Sequence, residues 1–218
     1  MKGLLRRYAY GSIKSLPFML IFALIFSGAH FLMMYGLRIF HPLMMQAPSI
    51  IFGILPGSIM LQDSGEGWNR SCLTFPITRR QQIGAVYIFA LFTGGAAAVL
   101  ELILSFPGML LSQTGTLSEL LAGLLLGLGA SLWMTVILVP MICRLGGQEA
   151  GRLFIFPVLI PPALLMLTAC FMDIGDPDAP FHIPFGLLTC LCIFLISAGL
   201  CVISWRISLR WHEQYETM

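Results

Sequence analysis

Residues 62–87 read QDSGEGWNRSCLTFPITRRQQIGAVY. They form the longest polar interval between apolar runs, and they close on the start of one. Asp63, followed three residues later by Glu66, matches an N-cap with its N3 acid, so a short helix is expected to begin there. Phe75-Pro76 should end it, because the residue before a proline avoids helical angles. Thr78-Arg79-Arg80-Gln81 then fits the capping-box pattern, with a long apolar helix following directly. Such a short amphipathic helix, joined to a spanning helix, could pass force from a soluble partner. The plainer reading is an ordinary cytoplasmic loop.

Composition sets the solvent. The 218 residues are 58% hydrophobic and 10% charged, with a mean hydropathy of +0.90. A soluble domain carries about a quarter charged residues, so this chain has far more apolar sequence than a soluble core can hold. Backbone groups find no water in lipid, which leaves helices or a closed barrel. Barrel strands alternate over about ten residues, whereas these runs are continuous, so an all-α membrane protein is expected. The net charge of +2 gives no case for nucleic acid.

About 20 apolar residues cross a bilayer. On that length the chain divides into six spans: 16–39, 43–61, 79–104 or later, 117–143, 153–172 and 183–205. Residues 1–15 carry Lys2, Arg6, Arg7 and Lys14, with Leu4, Leu5 and Tyr8 able to share one face of a helix on the membrane surface. The apolar run behind them is too long for a signal peptide. With six spans, every Lys and Arg except Arg38 falls on one side, which should be cytoplasmic and should hold both termini. The opposite loops, 40–42, 112–116 and 173–182, are short, and the whole chain reads as a single domain.

Proline and glycine mark the spans. Pro48, Pro56, Pro157, Pro161 and Pro162 are expected to kink them. Gly123 and Gly127, continued by Gly129, Ala130 and Ser131, give the fourth span a small-residue face, as Gly94 to Ala98 give the third. Such faces let helices approach closely, within one subunit or between two. The six cysteines have no CxxC spacing and read as small hydrophobes rather than ligands.

No catalytic motif is present: no HExxH, no GxSxG, and no glycine followed by lysine, which excludes a Walker A loop. If ATP is used, another chain binds it. Glu101 is the one acid well inside an apolar run, and an intramembrane carboxylate is a functional candidate. Counted from Arg80 it lies about 30 Å along the helix, near the far interface. There it is either a solvated or hydrogen-bonded acid at the rim, or a residue of a substrate path. Asp173, Asp176 and Asp178 lack the order of a calcium loop, and His30 in the first span reads as a packed histidine. Trp68 is either an interface anchor or a hot spot for a soluble partner, with Arg70 beside it, and Arg79 and Arg80 also read as positive-inside flanks that meet anionic lipid headgroups.

The run from Asp63 through Gly67-Trp68 and Leu73-Thr74-Phe75-Pro76-Ile77-Thr78-Arg79-Arg80-Gln81, leading into a helix that bears Tyr87, resembles the membrane subunits of type-2 ABC exporters. It is most similar to the small permeases that export amphipathic peptides such as phenol-soluble modulins. The motif covers 63–87, while the six-span layout agrees over nearly the whole length. The resemblance implies that 62–78 is a coupling segment. Glu66, Trp68, Asn69 and Arg70 would face an ATPase, while Pro76, Thr78, Arg79 and Arg80 would shape the turn into span three. It implies two ATPase subunits that carry the ATP and Mg, a second permease (as a homodimer), and a place in the bacterial plasma membrane. No cofactor is expected on this chain. Where the family often has Lys-Tyr in span three, this chain has Val86-Tyr87. The competing reading is a six-span protein outside transport: an assembly factor, an immunity protein or a sensor.

Overall fold

The computed structural model describes residues 2–32, 35, 46–65, 78–113, 116–154 and 187–215, and among them there is no strand. Among the described residues six helices occur in chain order: α1 (Lys2–Ser12), α2 (Leu16–Leu32), α3 (Gln46–Gly65), α4 (Arg79–Ser112), α5 (Leu117–Leu153) and α6 (Leu187–Tyr215). Segments 80–111, 117–153 and 187–211 are long and apolar enough to cross a membrane. The pair α1 and α2, bent by 64°, becomes a fourth if counted as one broken span. Most of the predicted fifth span, with Pro157, Pro161 and Pro162, lies outside the described residues, as does the loop 173–182.

The helix starts follow local chemistry. Thr78 is extended (φ −77°, ψ 148°), its side chain accepts from the Gln81 N–H, and the Gln81 side chain accepts from the Thr78 N–H. This is the expected capping box. A second box, Thr116 with Glu119, starts α5 in the same way, and the sequence reading had passed over it. The α4 helix ends at Gln113, which turns left-handed (φ 53°). Its 34 residues make a rod of about 51 Å, well beyond the expected end near 104 and longer than the ~30 Å core of a bilayer. The α5 helix breaks at Gly146 (φ 78°, ψ 167°), a conformation open to glycine, then resumes to Leu153. The expected end at 143 falls just before that break.

The centre of the bundle is a close meeting of α3, α4 and α5. A Cβ on Gly53 would lie 2.7 Å from the Ser131 Cα, and one on Gly94 would lie 2.9 Å from the Ser131 Oγ. The small faces of the third and fourth spans are therefore used within one subunit. Gly123 and Gly127 are buried as well. On the other side of α5, Gly129 faces Ser197 of α6. Leu55, Ile59, Ile83, Val86, Val139 and Ile142 fill the core around this crossing. The α3 helix runs through Pro56 without interruption in the described residues.

Two expectations need correction. Asp63 does not cap a new helix: α3 continues to Gly65, and Asp63 lies inside its last turn. Its carboxylate is taken by Arg7 of α1, with Arg7 Nη1 donating to Oδ2 at 2.8 Å and Nη2 to Oδ1. That bidentate pair holds the helix end in place of a cap. The apolar face of α1 is also not left for the membrane surface. Leu4 and Tyr8 are buried in the bundle, and the Tyr8 ring lies 5.9 Å from that of Phe89 in α4.

Candidate functional site

One end of the bundle gathers the basic groups. The close of α3 and the opening of α4 stand there as two fixed helix ends, joined by 66–77, which lie outside the described residues. Glu66, Trp68, Asn69, Arg70 and Pro76 fall in that segment. Of the remaining sequence-predicted coupling residues, Thr78 is the cap of α4 and Arg79 is its first residue. Arg80 is exposed, with its guanidinium 5.3 Å above the ring of Trp205 in α6. Arg144 sits likewise 5.1 Å above Trp211. Both contacts are within cation–π range and tie the cations of α4 and α5 to the closing turns of α6.

A hydroxyl chain links the same helices further in. The Ser204 Oγ donates to the Val136 carbonyl at 2.8 Å, which leaves the Tyr87 hydroxyl as donor to Ser204 at 2.6 Å. Ser208 lies 3.2 Å from the same phenol and donates to the Ser204 carbonyl. Tyr87 thus fastens α4 to α6, and Ser204 fastens α6 to α5. Sequence reading noted Tyr87 as part of a motif and missed this role. The i, i+4 pair Ser204 and Ser208 in an apolar helix was the available signal. Val86, standing where the resembled family often has lysine, is buried in the core.

Glu101 is a hydrogen-bonded acid rather than a solvated one. It is 1% exposed and enclosed between α2 and α4. Ser27 of α2 donates to its Oε1 at 3.1 Å, and Ser105, one turn on in α4, donates to Oε2 at 3.4 Å. His30 lies one turn beyond Ser27 on α2 and is fully buried. Ser27, Glu101 and Ser105 make a polar cluster inside an apolar bundle. Such groups are costly in lipid unless hydrogen-bonded, and these hydroxyls supply the bonds. The cluster holds α2 against α4.

Between α4 and α6 runs a groove of about 620 Å³. Ile88 and Leu91 line one wall, Phe194 and Val202 the other, and Leu132 of α5 is its floor. Thr78, Arg80 and Gln81 stand at its basic end.

A family model described as ABC-2 family transporter protein matches residues 3–213. No curated protein and no solved structure matches the chain.

Proposed function

We infer the role of this chain from its membership: it belongs to the ABC-2 transporter family, which the match over nearly its whole length shows. It is accordingly a multi-pass membrane component of an ABC transporter, and the ATPase is a separate subunit. Within that role we propose a permease that pairs with a second copy of itself in a bacterial plasma membrane. Six spans would place both termini on the cytoplasmic side. The two copies form the path for a hydrophobic or amphipathic cargo, with small peptides of the phenol-soluble modulin kind as the leading class. Two ATPase subunits carry the ATP and Mg and push on the segment between α3 and α4. Glu66, Trp68, Asn69 and Arg70 face the ATPase, while Pro76, Thr78, Arg79 and Arg80 set the bend into α4.

The observation that carries the coupling role is the anchoring of both ends of that segment. Arg7 clamps the end of α3 through Asp63, and the Thr78 box together with the Arg80–Trp205 contact fixes the start of α4. A push on a segment held at both ends moves two core helices rather than bending a loose loop. Glu101 belongs to the cargo path in the conformation where α2 and α4 separate.

The test is co-purification with a candidate ABC ATPase expressed together with this chain. Wild-type chain is expected to retain the ATPase through size exclusion, and Trp68→Ala with Arg70→Ala to lose it while folding normally. Undiminished retention by the double variant rejects the docking role.

A further inference from the structure

We propose that the groove between α4 and α6 binds one anionic phospholipid, with its phosphate on Arg80 and one acyl chain along the trough. The site is a lipid site rather than a cargo site, and it depends on neither the motor nor the cargo.

Its length comes first. Arg80 and Leu91 on α4 are eleven positions apart, and so are Trp205 and Phe194 on α6. At helical rise each pair spans about 16 Å. Half of a ~30 Å hydrocarbon core is about 15 Å, so the groove is as deep as one leaflet. Its polarity is graded to match. Thr78, Arg80 and Gln81 occupy one end, and apolar side chains occupy the rest. A headgroup and a tail need that order of surfaces.

The cation is held in place for a phosphate. Arg80 is exposed, and among the described residues no carboxylate pairs with it. Stacking on Trp205 fixes its guanidinium at the mouth of the groove. The first turn of α4 adds its positive dipole end at the same place. Arginine binds phosphate oxygens in a fixed fork, so a held guanidinium retains a phosphate better than a mobile one. The lips of the groove continue into bare apolar surface: Leu91, Phe92, Val202 and Ile203 are all exposed. An occupant can therefore enter from the bilayer and come to rest on Leu132.

The full chain is reconstituted into phosphatidylcholine vesicles carrying either brominated phosphatidylglycerol or brominated phosphatidylcholine. The share of tryptophan fluorescence due to Trp205 is read as the difference between wild type and Trp205→Phe. Half-quenching of that share is expected at about fivefold lower mole fraction of the anionic lipid, the preference one surface cation confers. Arg80→Gln should erase the preference. Arg206→Gln, which removes an exposed cation outside the groove, should leave it. Ala198→Phe, which fills the trough and leaves Arg80 in place, should also erase it. Circular dichroism identifies the variants that fold. Equal quenching by the two lipids overturns the proposal, as does a preference that survives Arg80→Gln or Ala198→Phe. Absence of quenching by either lipid overturns it too, since the groove is then closed to the bilayer.

Discussion

At the scale of the residue, Glu101 and Gly53 carry the sharpest consequences. Glu101 accepts from Ser27 and Ser105 while 1% exposed, so an apolar replacement leaves two buried hydroxyls without their acceptor. Glu101→Leu is expected to cost about 1–3 kcal/mol of stability, and Glu101→Gln, which keeps a carbonyl oxygen, distinctly less. Thermal unfolding in detergent checks the order; equal melting of the two variants contradicts it. Gly53→Ala would drive a Cβ to 2.7 Å from the Ser131 backbone and should destabilise by about 1–3 kcal/mol. Gly95 has nothing within 4 Å of its Cβ position, so Gly95→Ala should be neutral or stabilising, by up to about 1 kcal/mol. Opposite signs for two glycine-to-alanine changes are the expected readout of the same melting assay. The small-residue faces were legible because close approach needs small side chains at helical spacing. The burial of Glu101 was not, because its donor Ser27 lies 74 residues away and only the packing of α2 brings it there.

At the scale of the element, the connection from α3 to α4 shows what local grammar can and cannot decide. The Thr78 box spans four residues and is closed entirely by its own residues, and the structure has it as read. The Asp63 pattern has the same form, yet the residue ends inside a helix. A carboxylate near a helix end satisfies itself with whichever donor reaches it, and here the donor is Arg7, 56 residues away. Thr78→Ala should cost about 0.5–2 kcal/mol, localised as faster amide exchange in the first turn of α4. Exchange that is unchanged there, or spread over the bundle, contradicts this assignment. The Arg7–Asp63 pair is partly exposed on the arginine side and buried on the aspartate side. A double-mutant cycle with Arg7→Gln and Asp63→Asn should return a coupling on the order of 1 kcal/mol. Additive losses show instead that the two residues act separately.

At the scale of the whole molecule, run length and composition were enough for an all-helical membrane protein, because lipid admits few backbone solutions. They overstate what each helix owes to lipid: α3 is not among the segments apolar enough to cross alone, and it is sheltered by α4 and α5. The family follows from the match over residues 3–213, and the motor follows as a proposal from the two anchored helix ends. The direct measurement is a photo-crosslink from position 68 in membranes that hold this chain and a candidate ABC ATPase. Position 113, at the opposite end of α4, serves as the control. The account predicts a crosslink to the ATPase from 68 and none from 113, with ATP turnover that falls when Trp68 and Arg70 are both alanine. An active complex that crosslinks from neither position, or equally from both, contradicts it.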